Sequence, residues 1–100
     1  MKIIRAAQAG GLESGDVLVT VEPCEGGGIT IDLESVLKAQ FGKSILATVH
    51  HAVKIMRVSD VAIRLVDRGA LDHVILSRVQ TALMRGSNQN TFDWSRGSAQ

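Results

Sequence analysis

Tyrosine is absent from this chain, and tryptophan and phenylalanine together supply only Phe41, Phe92 and Trp94. A core must therefore be built from Val, Ile, Leu, Ala and Met. There is one cysteine, Cys24, so an internal disulfide and a paired-cysteine metal knuckle are both excluded, which agrees with a reducing compartment. Charge of one sign is missing too. The formal net charge is +1 and the Lys and Arg residues are scattered, leaving no basic footprint for a phosphate backbone, so nucleic acid is not expected as a partner. No apolar run approaches the roughly 20 residues that cross a bilayer, and the opening MKIIRAAQAGG lacks the long apolar stretch of a signal peptide. The expectation is a cytoplasmic protein with no membrane contact.

What is present describes one folded domain. One hundred residues, 45% of them apolar, suffice for a single core and not for two. Residues 17–22, VLVTVE, alternate as a strand does, with Val17, Val19 and Val21 on one face. Pro23 ends that run, and PCEGGG leads to a second alternating stretch, ITIDLE at 29–34, predicting a β-hairpin. The period then lengthens: Ile45, Leu46, Val49, Ala52, Val53 and Met56 recur at helical spacing, starting near Lys43 or Ser44. VAIRLV at 61–66 returns to alternation, and a strand, helix and strand in sequence favour a crossover onto the same sheet. Leu71, Val74, Ile75, Val79, Ala82 and Leu83 mark a second helix that Gly86 is placed to stop. Of the first ten residues, MKII could add a short strand, whereas AAQAGG suits a mobile loop. The polar stretch from Ser87 to Gln100 is expected to be disordered, except around Phe92 and Trp94. The fold class expected is α+β, in two layers, with a small mixed β-sheet and two helices packed on one face.

No catalytic constellation is visible. His50 and His51 are neighbours on a helix and project about 100° apart, and His73 belongs to the other helix, so the three read as solvated or capping side chains. The glycine run at 26–28 lies between strands with no helix start behind it, which favours a turn over a phosphate cradle. The segment Gly10-Gly11-Leu12-Glu13-Ser14-Gly15-Asp16 is the exception. Its glycines leave Ser14 uncrowded, and no histidine stands in a triad pattern to activate it. Chemistry at Ser14 would be done to it, as in a modification; an ordinary loop serine is the alternative.

The segment AGGLESGDV at 9–17 resembles the attachment segment of the citrate lyase acyl carrier proteins, the gamma subunits of that complex. The opening MKII, AQFG at 39–42 and VDRGALD at 66–72 resemble the same family in the same order, so the likeness covers the chain to about Arg85. It implies an acyl carrier domain over residues 1–86 with the tail 87–100 outside it. It implies that Ser14 carries a covalently bound 2'-(5''-phosphoribosyl)-3'-dephospho-CoA through a phosphodiester, whose thiol holds acetyl or citryl thioesters. The implied partners are the transferase (alpha) and lyase (beta) subunits and an arm-attaching holo-protein synthase. Citrate would be cleaved to acetate and oxaloacetate, with this chain a non-catalytic subunit. Glu13 and Asp16 are candidate recognition charges for the attaching enzyme, or simply a solvated loop face. A carrier for a related complex, citramalate lyase or malonate decarboxylase, and an unmodified interaction module stand as alternatives.

Overall fold

The computed structural model describes residues 1–87; the expectations for Phe92, Trp94 and the rest of the tail from residue 88 lie outside them. The elements run β1 (Ala7–Gly10), β2 (Val17–Glu22), β3 (Ile29–Ser35), α1 (Lys38–Ile55), β4 (Val61–Asp67) and α2 (Asp72–Gly86). The strands form one mixed sheet in the order β1-β2-β4-β3, with β3 and β4 parallel and the other pairs antiparallel. Val17, Val19, Val21, Leu33, Val61, Ile63 and Leu65 on the strands and Ile45, Val49, Val53, Ile75, Val79 and Leu83 on the helices share one buried core. This is the expected two-layer α+β domain.

The expected hairpin between residues 17–22 and 29–34 does not form, because β4 lies between those strands. Side-chain character explains the insertion. Val61, Ile63 and Leu65 of β4 are buried on the helix side while Ala62 and Val66 are half-buried on the other, so β4 gains most from a central place. β3 exposes Thr30, Asp32 and Glu34, which suits an edge. Asp32 stands opposite Arg64 in the parallel register and pairs with it, and Glu34 is 3.6 Å from the same guanidinium. The linker Pro23–Gly28 therefore passes β4 instead of joining neighbouring strands, turning on the way where Gly27 N–H donates to the Cys24 carbonyl at 2.8 Å, and it is pinned there. Gly28 N–H donates to Asp60 Oδ1 at 2.9 Å, and Val61 N–H donates to the Gly28 carbonyl at 2.9 Å.

Two further expectations fail for a common reason. Ala7–Gly10 is a strand, not a mobile loop, while Ile3 of MKII makes only an isolated bridge to Ser87. In β1 only Ala9 is buried, so the stretch carries almost no apolar signal. Helix α1 begins at Lys38, ahead of the stripe that starts at Ile45, because its first turns are exposed and Phe41 is half out of contact. Its other end is a Schellman closure: Arg57 N–H bonds the Lys54 carbonyl, Val58 N–H bonds the Val53 carbonyl, and Arg57 takes a φ of +57°.

Candidate attachment site

Ser14 sits at the tip of the β1–β2 connection and is exposed. Asp16 N–H donates to the Glu13 carbonyl at 2.9 Å, and Gly15 has a φ of +85°. Positive φ at the third of four residues is what a type II turn requires, so Gly15 is the residue that lets Ser14 occupy the second, outward position. Gly10 closes the hairpin below at a φ of +88°, where a Cβ would overlap the Val17 carbonyl oxygen. Above the turn there is room: a Cβ on Gly15 would meet no atom within 4 Å. Ser14 Oγ makes no hydrogen bond among the described residues.

The turn is held, not loose. Gly15 N–H donates to the Arg68 carbonyl at 2.7 Å, and Arg68 N–H donates to the Asp16 carbonyl at 2.9 Å, which docks the turn on the β4–α2 loop. Asp16, a candidate recognition charge, is engaged within the domain as a clamp. Its Oδ1 accepts from Arg78 Nε of α2 at 3.0 Å and from Val17 N–H at 2.8 Å. The Arg78 hydrogen bond, then that of Val17, holds the Asp16 carboxyl below its ordinary value. Glu13 stays exposed, with no ion pair among the described residues. Arg68 and Arg78 lie more than fifty positions downstream of Ser14, so no local pattern could have announced them.

Next to this turn, Asp67 is buried at 2% exposure and accepts from Ser35 Oγ at 2.8 Å and from Ala70 N–H at 2.9 Å. Ser35 Oγ in turn accepts from Leu37 N–H at 3.0 Å. Val17, Asp67 and Ser35 are in register across three strands, so this network fixes the starts of both helices at the end of the sheet that carries Ser14. Leu12, Val36, Leu37, Phe41 and Leu71 expose apolar surface at the same end.

The other candidates gather no chemistry. His51 and His73 line one groove of about 450 Å³ between the helices, with Asp72, Ala47 and Leu76, but no group of His, Cys, Asp and Glu that could hold a metal exists among the described residues. Cys24 is free and half-buried in the linker at the opposite end of the sheet. No described helix is long and apolar enough to cross a membrane.

Known proteins are similar to this chain in sequence or in architecture. Residues 4–86 match the family model of the malonate decarboxylase delta subunit (MdcD). The chain is similar to the citrate lyase acyl carrier protein of Vibrio cholerae serotype O1 (strain M66-2), with 44% identity over 96% of this chain and 98% of that one. The chain belongs to the citrate lyase acyl carrier protein family. Another relative, from Clostridium perfringens (strain 13 / Type A), is 40% identical across 100% of this chain and 99% of its own length. A chain of a Pseudomonas malonate decarboxylase hetero-tetramer, crystallised with malonate, has the same fold, with a TM-score of 0.69 at 18% identity over 87% of this chain and 93% of its own. In this citrate lyase acyl carrier protein family member, Ser14 stands on an exposed turn of a stable body.

Proposed function

We propose that the chain is the acyl carrier subunit of a citrate lyase complex and that Ser14 is the point at which its prosthetic arm is attached. The observation that carries the proposal is the exposed, unbonded Ser14 hydroxyl at the tip of a turn clamped from below. Fit to a bulky group is supported by the open space over Gly15. A phosphoribosyl-dephospho-CoA arm held on Ser14 supplies a thiol for acyl transfer. The chain's own residues do something simpler: Gly10 and Gly15 shape the turn, and Arg78, Asp16 and Arg68 keep it from folding back onto the sheet. Motion then resides in the arm and not in the loop, and a tether of this kind presents one acyl group to two active sites at high effective concentration. The transferase and lyase subunits perform the chemistry, an attaching enzyme joins the arm to Ser14, and the chain works in the cytoplasm without catalysing a step itself. We place the carrier domain at residues 1–86, with Ser87 bridged to Ile3 at its boundary and the rest of the tail 87–100 outside it.

Protein made alongside the attaching enzyme should gain the mass of the arm on Ser14, and Ser14→Ala should gain none. Mixed with transferase and lyase subunits, wild type should restore citrate cleavage and Ser14→Ala should leave it at background. Ser14→Ala should unfold within about 0.5 kcal/mol of wild type, since only a surface hydroxyl is lost. Full activity in Ser14→Ala, or the arm found on another serine, would overturn the assignment. The name of the family model makes malonate the second acid to offer in the same mixture.

A further inference from the structure

We propose that Arg68 is the anion-binding residue of the attachment turn, its guanidinium pairing with the negatively charged phosphate ester that joins an arm to Ser14. The inference rests on the carrier reading and adds to it a residue and a role.

Placement comes first. The reciprocal bonds between Arg68 and the Gly15–Asp16 backbone fix the Arg68 backbone beside the turn, one hydrogen-bonded chain spacing away. That spacing is about 4.8 Å, which a fully extended arginine side chain spans. Availability comes second. Arg5 donates to the carbonyls of Arg85 and Ser87, Arg64 pairs with Asp32 and Glu34, Arg78 holds Asp16, and Arg85 donates to the Gln8 carbonyl. Among the described residues only Arg57 and Arg68 leave their guanidinium groups without a partner, and Arg57 lies at the opposite end, beyond α1. The carboxylate next to Arg68 in the chain, Asp67, is already occupied by Ser35 and Ala70. Lys38 and Lys43 are also unpaired, but they follow β3, two strands away from β2.

Need comes third. The turn already carries Glu13, and a phosphate ester on Ser14 would add an anion directly beside it. Asp16 is neutralised by Arg78, but nothing else in the turn offsets the new charge. An unengaged, planar guanidinium can bind two phosphate oxygens at once, which a lysine ammonium cannot match in geometry.

The test compares wild type, Arg68→Gln, Arg68→Lys and, as a control for the other free arginine, Arg57→Gln. Each unmodified protein is incubated with the attaching enzyme and its arm donor, and modification is followed by intact mass. Arg68→Gln should be modified about tenfold more slowly, Arg68→Lys at an intermediate rate and Arg57→Gln at the wild-type rate. In wild type labelled with nitrogen-15, the Arg68 Nε–H resonance should shift between unmodified and modified protein, while that of Arg57 should not. Melting temperatures of the unmodified proteins should agree, because Arg68 contributes to the fold through its backbone. Equal modification rates with an unshifted Arg68 resonance would overturn the proposal and leave the carrier reading intact. Slower modification with an unshifted resonance would assign Arg68 to contact with the enzyme, which also overturns it. Wild type that gains no mass on Ser14 would overturn both.

Discussion

Each end of the sheet carries a glycine-rich connection, and the two are built for opposite ends. At the Ser14 end, the turn returns the chain to a neighbouring strand, so its glycines serve tight geometry: one lets the turn reverse and one lets two backbones touch. At the other end, Pro23–Gly28 must pass β4 to reach a strand that is not its neighbour, and it does so through a turn of its own, in which Gly27 N–H donates to the Cys24 carbonyl at 2.8 Å and Gly26 has a φ of +75°. The anchors differ accordingly. The turn is clamped by a side-chain ion pair and by backbone bonds to the β4–α2 loop, whereas the linker is held by Asp60 and the start of β4. Glycine content alone suggests mobility at both ends. The structure shows that glycine fixes a turn at each, Gly15 at the Ser14 end and Gly26 in the linker.

The strongest way to break this comparison is Gly10→Ala. With a positive φ and the Val17 carbonyl in the space a Cβ needs, the substitution should cost about 3 kcal/mol or more in chemical denaturation. Gly15→Ala has open space and should cost only about 1–2 kcal/mol, from its backbone angle alone. Equal losses would show that crowding at Gly10 is relieved by movement of β1.

A second contrast sets Asp67 against Asp60. Asp67→Ala removes a buried carboxylate and the bonds of both Ser35 Oγ and Ala70 N–H and should cost about 2–3 kcal/mol, while Asp60→Ala gives up one half-buried bond to Gly28 and should cost about 1 kcal/mol. Reversed magnitudes in urea titrations would mean that the linker, not the Ser14 end, is the tighter structure. Smaller still, Arg57→Gly should raise stability by about 0.5–1 kcal/mol by relieving a left-handed arginine at the α1 terminus, and it should leave arm attachment unchanged.

The smallest effect is a matter of pH. Asp16 titrates below its ordinary value of 3.8 in the folded protein, so its contribution is complete above that value and disappears as pH falls below it toward the lowered folded value. Acid unfolding of Asp16→Asn should therefore show a flatter loss of stability than wild type across that window. A parallel profile would mean that the Arg78 contact does not persist in solution.

The core was legible because alternation and helical spacing are direct consequences of burial: Val17, Val19 and Val21, then Ile63 and Leu65, then Val49, Val53, Ile75 and Val79 all face inward as their spacing predicts. Pairing was not. Neighbouring strands in sequence favour a hairpin, and only the greater apolar content of β4 relative to β3 hints that β4 belongs in the middle. β1 escaped notice because small residues pack there without a hydrophobic rhythm, and the first turns of α1 because they overhang the core. Ser14 stood out through its glycine neighbours and through resemblance, whereas the groups that hold its turn come from the far half of the chain.

The strand order also has a consequence for how the molecule is made. β4 must enter between β2 and β3, two strands that leave the ribosome before it, so the sheet cannot assemble in the order of synthesis. Arg68 and Arg78, which anchor the turn at Ser14, follow β4 in the chain. The turn thus acquires its anchored form only after translation has passed α2. An enzyme that reads the shape of the turn, and not only its sequence, inspects a finished domain: a truncated or stalled chain offers the same serine without the same surface.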